Sequence, residues 1–202
     1  MFRAIDVRMT DFVECHLGVD RDEANRLRVH YWRRYGATLL GLIRHHRVDP
    51  HSFLHHSHDF DVAALVRAEP GMGPVLGRLR GRKVLLSNAP DRYADTVLRG
   101  VGLHRLIRKR HCIETLRLHG RFRPKPSVAM FRAVLAREGV AGRANAGRAV
   151  LVDDSAPNLK AARAAGFSTV LRLGPATRRP HAGGAYIDVR VRSVRQLIRR
   201  LG

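Results

Sequence analysis

The sequence is 202 residues long, with hydrophobic and charged fractions ordinary for a globular protein, a formal net charge of +21 and only two cysteines. That length accommodates one α/β domain with a small helical companion. No apolar run approaches the roughly 18–20 residues that span a bilayer, and the start, Met1-Phe2-Arg3-Ala4-Ile5-Asp6, carries no apolar signal core, so a cytoplasmic location is expected. The charge is almost all arginine, since Lys83, Lys109, Lys125 and Lys160 are the only lysines, and no long basic tract interrupts the chain. A composition bias toward arginine explains this better than nucleic-acid binding, which would call for an aromatic-interleaved basic strand or a recognition helix. Cys15 and Cys112 lack metal-ligand spacing and read as reduced thiols.

Residues 1 to about 78 read as wholly helical. Ile5, Met9, Phe12, Val13 and Leu17 recur at helical spacing, and Gly18 is a natural stop. Asp20 with Glu23 forms a capping-box pattern opening a second helix through Tyr31 and Trp32. Gly36 breaks that helix before the apolar group Leu39, Leu40, Leu42 and Ile43. Asp49-Pro50 starts a further short helix, with proline suited to its first turn. The run from Pro70 to Pro74 marks a joint, followed by a short helix near 74–79.

From about residue 80 strands alternate with helices. Val84–Leu86 is a short buried strand, and Tyr93, Val97 and Leu98 belong to the helix after it. A second strand is expected around Cys112-Ile113, then a helix through Phe131, Val134 and Leu135 that Ser127 caps. Val150–Val152 is the next strand, leading into a helix through Ala165 that ends at Gly166. Thr169–Leu173 and Tyr186–Val189 follow as strands, separated by a low-complexity loop at 174–184, and Val194–Leu201 is a last amphipathic helix. This alternation predicts an α/β fold built on a doubly wound parallel sheet. Sites in such sheets lie beyond the carboxyl ends of the strands.

Three junctions there carry chemistry. Ser87 and Asn88 follow the strand at 84–86 at a turn into a helix, where a hydroxyl and successive amides make an anion cradle. An ordinary cap accounts for the same residues. Lys125 stands between Pro124 and Pro126, which stiffen the loop that presents its ammonium. A solvated loop lysine is the alternative. Asp153 and Asp154 end the strand at 150–152, and two adjacent carboxylates there suit a hard cation such as Mg²⁺, which needs only one or two of them besides water and phosphate. A helix cap at Asp154 or Ser155 is the competing explanation, and Asn158 lies one turn further along.

The order and spacing of Ser87, Lys125 and Asp153-Asp154 resemble the haloacid-dehalogenase-like (HAD) phosphohydrolases, which place Ser or Thr after one strand, Lys on a later loop and acids after another strand. The segment Tyr31-Trp32-Arg33-Arg34-Tyr35-Gly36 followed by Leu39, Leu40, Gly41 and Leu42 looks like the cap of the branch related to pyrimidine 5′-nucleotidases. The resemblance implies a helical cap at 1–78 and a HAD-like Rossmannoid core at 79–202. It also implies phosphate binding by Ser87 and Asn88, charge neutralisation by Lys125, Mg²⁺ held by Asp153 and Asp154, and a small phosphorylated substrate.

One expected part is missing. The family's first motif, an Asp-x-Asp on the first central strand, has no counterpart at the N-terminus, where residue 1 already enters the helical pattern and Asp6 and Asp11 lie within it. Without that strand the strands at 84–86 and 150–152 are expected to present unpaired edges. The expectation is a chain inactive as it stands, either because the strand is encoded upstream or because the chain is a non-catalytic relative acting as a binding protein, with nucleic acid as the ligand its basic surface suggests. A stretch of histidines, His45, His46, His51, His55, His56 and His58, raises a weaker prospect of a transition-metal site. Substrate and oligomeric state are left open.

Overall fold

The computed structural model describes residues 2–142, 145, 147–172 and 184–201. Within them the chain forms two compact units, the first from residues 1–68 and 84–116 and the second from 69–83 and 117–202. The expected loop at 174–184 and the end of the strand predicted to reach Leu173 lie mostly outside the described residues.

The first unit begins with five helices: α1 (Phe2–Leu17), α2 (Arg21–Tyr35), α3 (Thr38–His46), α4 (Pro50–His58) and the short α5 (Val62–Leu65). Their ends follow from local chemistry. Asp20 accepts a hydrogen bond from the Glu23 amide at 2.8 Å, Asp49 accepts from the Ser52 amide at 2.7 Å, and Gly36 closes α2 in the left-handed conformation at φ 81°. Phe12, Val13, Leu39, Leu42 and Phe53 are buried together as the core of this bundle, with Phe12 and Phe53 meeting edge to face at 5.3 Å.

α2 and α3 cross closely, and Gly41 is what allows it. A Cβ at that position would lie 2.1 Å from Cγ of the buried Tyr31. Tyr31 is fixed at its other end, where its hydroxyl lies 2.6 Å from His46 Nε2. Gly41→Ala is therefore expected to destabilise the chain by about 3 kcal/mol, the upper end of the usual cost of overpacking, read as a lowered midpoint in urea unfolding. An unchanged midpoint would show that the helices slide apart at little cost.

The same unit continues with β1 (Val84–Leu86), α7 (Asp91–Gly100), β2 (Lys109–His111) and a single 3₁₀ turn at Ile113–Thr115. β1 and β2 pair in parallel, Leu85 opposite Arg110. The strand expected around Cys112-Ile113 sits a few residues earlier. Cys112 instead opens the 3₁₀ turn, because its carbonyl accepts from both the amide and the hydroxyl of Thr115, each at 2.9 Å. Arg110 ties β2 to α7 through two hydrogen bonds to Asp91, at 2.7 and 2.9 Å, and one to Asp95 at 3.0 Å.

The second unit holds α6 (Met72–Gly77), a small hairpin of β3 (Arg117–Leu118) and β4 (Arg121–Phe122), α8 (Val128–Arg137), β5 (Val150–Asp153), α9 (Ala156–Ala165), β6 (Ser168–Arg172), β7 (Val189–Val191) and α10 (Val194–Leu201). β5, β6 and β7 form a three-stranded parallel sheet in that order. Its core gathers Leu159, Val170, Leu171, Val191 and Leu197, and Phe131 of α8 meets Phe167 at 5.5 Å. The last strand starts three residues later than Tyr186. The carboxylate of Asp188 accepts from the Thr169 amide and from Arg163, both at 2.8 Å, and this knot turns the chain before the ladder begins.

The architecture is thus an α/β fold of helices and parallel strands. Among the described residues β1 pairs with β2 alone, and β5 pairs with β6 alone. Val150 and Val152, which alternate with the buried Leu151 along β5, stay 41% and 42% exposed, high for valines in a parallel strand. No helix among the described residues is long and apolar enough to cross a membrane.

Candidate functional site

Each junction read from the sequence has a defined local structure. In the first unit, Ser87 extends β1 by donating its amide to the carbonyl of His111 at 3.0 Å. Its hydroxyl accepts from the Ala89 amide at 3.1 Å, so it folds back over the turn that carries Asn88 and Pro90 into α7. Asn88 is half-buried at the same turn. This is a strand-to-helix turn with a hydroxyl at its apex, the geometry that small anions use.

In the second unit, Lys125 lies between two prolines just before Ser127, whose hydroxyl caps α8 by accepting from the Met130 amide at 3.3 Å. Its ammonium donates to Asp153 at 2.9 Å, with side-chain exposures of only 15% and 7%, so the pair is largely withdrawn from water. The same carboxylate accepts from the Ser155 amide at 2.8 Å and from the Asn158 side chain at 3.0 and 3.1 Å. Asp153 is thereby held at every usable lone pair. Asp154, one residue on, is exposed and makes no hydrogen bond or ion pair among the described residues.

The five residues thus fall into two groups. Lys125, Asp153 and Asp154 come together in one unit, with Asn158 as a partner anticipated from its place one turn into α9. Ser87 and Asn88 stand at the end of β1 in the other unit. Among the described residues no three His, Cys, Asp or Glu side chains converge to hold a metal. Asp154 nevertheless offers a free carboxylate beside a fixed one, and Mg²⁺ is satisfied by one or two carboxylates when water and phosphate complete its shell. The donor set fits such an ion.

The histidine stretch resolves into separate roles. His45 and His46 bond the hydroxyls of Tyr35 and Tyr31, at 2.7 and 2.6 Å. His58 is different, since its Nδ1 lies 3.1 Å from the Leu54 carbonyl and its ring packs edge-on against Tyr93, 4.9 Å between centroids. Two Asp-x-Asp sequences do occur, Asp20-Arg21-Asp22 and Asp59-Phe60-Asp61, but Asp20 and Asp61 are helix caps and neither segment ends a strand.

A family model for haloacid dehalogenase-like hydrolases matches residues 10–166. The chain belongs to the haloacid dehalogenase-like hydrolase family. Solved HAD structures share its fold over nearly its whole length. A HAD phosphatase from Thermococcus onnurineus is 21% identical, with a TM-score of 0.61, over 100% of this chain and 90% of that one. The putative HAD-hydrolase YfnB from Bacillus subtilis, bound to magnesium, is 12% identical with a TM-score of 0.59, over 100% and 92%. An L-2-haloacid dehalogenase from Xanthobacter autotrophicus, with chloropropionic acid covalently bound, is 16% identical with a TM-score of 0.56, over 96% and 91%. At these identities the likeness speaks for a HAD fold and not for a substrate.

Sequence reasoning missed two electrostatic features of this HAD chain. The Arg110 clamp on Asp91 and Asp95 spans two elements and has no local signature. Burial lowers the pKa of His58, opposed only in part by the Leu54 carbonyl, and His46 shifts the same way through burial and its histidine neighbours. The unfolded chain therefore binds more protons than the folded one below the ordinary histidine value near 6.5. Stability is full above that pH and falls as the solution is acidified toward the lowered folded value. His58→Gln is expected to flatten this decline, whose slope for one proton is at most about 1.4 kcal/mol per pH unit. Urea unfolding between pH 7.5 and 5, by about half-unit steps, checks it; an unaltered slope would assign the acid sensitivity elsewhere.

Proposed function

We propose that this chain is the cap and core of a phosphate monoesterase, and the observation that carries the reading is the fixed Lys125–Asp153–Asn158 group beside the free carboxylate of Asp154. Lys125 neutralises charge on the phosphoryl oxygens, while Asp153 aims it and keeps it in place. Asp154 is the carboxylate that would hold Mg²⁺, with Asp153 as its fixed neighbour. The ion would supply further charge neutralisation on the phosphoryl group. The hydroxyl of Ser87 and the Asn88 amide are the phosphate-binding groups of the other unit, and residues 1–78 act as the cap that selects the leaving group.

In this scheme a carboxylate attacks phosphorus, the P–O bond to the alcohol breaks, and the alcohol leaves with a proton; water then hydrolyses the aspartyl-phosphate. The aspartate nucleophile of this scheme is the Asp-x-Asp that the family resemblance implies; the two such sequences present, at Asp20 and at Asp59, lie at helix ends. The phosphatase from Thermococcus onnurineus and the magnesium-bound YfnB lend support by analogy of fold. The Tyr31–Gly36 segment and the leucines after it favour the pyrimidine 5′-nucleotidase branch, hence a nucleoside monophosphate in a cytoplasmic setting. A second reading, favoured by the exposed Val150 and Val152, is a non-catalytic relative that acts by binding.

The test begins with the intact mass of the protein from its native cells. A mass above 22.7 kDa by roughly 15 or more residues, a strand with its turn, supports the enzyme. In that longer form Asp154→Asn is expected to remove Mg²⁺-dependent phosphate release, by about 10²-fold or more. A mass starting at Met1, or full activity in the Asp154→Asn form, would overturn the proposal.

A further inference from the structure

A cavity of 460 Å³ opens in the first unit between the α4–α5 segment and α7. Its floor is apolar and aromatic, from Leu54, Phe60, Val62 and the ring of Tyr93. Its charged groups are three carboxylates, Asp59, Asp61 and Glu114, against one guanidinium, Arg92. In a chain of net charge +21 this is a local inversion of sign, since random surface here is arginine-rich. Asp61 and Glu114 are partly engaged, accepting from the amides of Ala64 and Asp91. The carboxylate of Asp59 has no hydrogen bond or ion pair among the described residues.

His58 completes the wall. Its Nδ1 lies 3.1 Å from the Leu54 carbonyl and 2.9 Å from the Ser57 hydroxyl, which fixes the ring in the wall of the cavity. Burial also keeps this ring uncharged at neutral pH, so it adds no positive charge to the cavity. Volume, aromatic lining and an excess of carboxylates are together what a small-molecule site offers, and the aromatic rings and carboxylates both favour a cation.

We infer that this cavity binds a small organic cation, an aliphatic ammonium whose apolar body lies against Phe60 and Tyr93 and whose charge sits among Asp59, Asp61 and Glu114. The aromatic faces contribute cation–π attraction, and the ammonium donates to Asp59. α7, which lines the cavity with Arg92, Tyr93 and Thr96, also begins at the Ser87 turn. If that turn holds a phosphoryl group, the cavity favours the phosphate ester of an amino alcohol over the nucleoside monophosphate that the Tyr31–Gly36 segment suggests; this extension rests on the proposed phosphatase function, and the cavity assignment does not.

The experiment uses the 202-residue chain at pH 8 and three probes of one shape: n-butylammonium, n-butanol and butyrate, titrated by ligand-observed NMR. Binding in that order of affinity is expected, with Asp59→Asn weakening n-butylammonium by about two- to fivefold, the worth of an exposed ion pair, and leaving n-butanol unchanged. Phe60→Ala is expected to weaken both. Equal binding of n-butanol and n-butylammonium, a preference for butyrate, or no effect of Asp59→Asn would each overturn the assignment. O-phosphoethanolamine is then compared with ethanolamine. Tighter binding of the phosphorylated form, lost in Ser87→Ala, supports the extension; equal binding defeats the phosphate reading at Ser87 while the cavity stands.

Discussion

Lys125→Met is expected to lower the unfolding free energy of the chain by about 3 kcal/mol, because it leaves Asp153 charged and withdrawn from water. The cost sits at the low end of the range for broken buried pairs, since the Ser155 amide and the Asn158 side chain still serve the carboxylate. Asp154→Asn is the control, expected within about 0.5 kcal/mol, because that side chain is exposed and unbonded. Lys125→Met with Asp153→Asn together is expected to recover part of the loss, as the uncompensated charge disappears. Urea unfolding of the four proteins at pH 7 decides the matter. A loss under about 1 kcal/mol for Lys125→Met would mean that the pair is solvated like a surface ion pair, and the fixed geometry assigned to it would fall.

The second large effect concerns turnover. The 202-residue chain alone is expected to release no phosphate from p-nitrophenyl phosphate with Mg²⁺, and Asp154→Asn is expected to change nothing in it. Neither Asp-x-Asp sequence stands at a strand end, and Asp153 is occupied by Lys125 and Asn158. Among the described residues no Asp-x-Asp thereby stands at a strand end to supply the nucleophile, and Asp154 is assigned to the metal. Removing a nucleophile from a covalent mechanism costs about 10⁶-fold where it has been measured, so the contrast with a form carrying the strand is large. Turnover by the short chain that vanishes in Asp154→Asn would show that another group performs the attack.

Much of the fold was legible because its signals are local. Asp20, Asp49 and Ser127 cap helices through amides three residues away, and Gly36 and Gly166 stop helices where a left-handed residue is needed. The β3–β4 hairpin escaped notice, although His119 and Gly120 both have positive φ, 50° and 74°, and form its two-residue turn. A residue followed by glycine between paired strands was the available clue, but two-residue strands of Arg-Leu and Arg-Phe carry too little alternation to announce themselves.

The candidate site was legible as residue types and not as contacts. Lys125 was recognisable from its flanking prolines, yet its partner Asp153 lies 28 positions on, and only the assembled second unit brings them to 2.9 Å. Asp153, read with Asp154 as a carboxylate pair suited to a cation, also has the ammonium of Lys125 as a partner, which no spacing announces. The Arg110 clamp and the cavity beside His58 depend on elements that meet only after folding, so no spacing rule reaches them.

The bare side of β5 has a practical consequence. Among the described residues β5 is paired on one edge only and has two valines open to water, which makes it a template for any extended chain that drifts past. Made by itself and concentrated, the protein should therefore stick to its own kind, and sedimentation should drift upward with loading. Lysine in place of Val152, a charge set on that edge, is the simplest way to keep it in solution long enough to study.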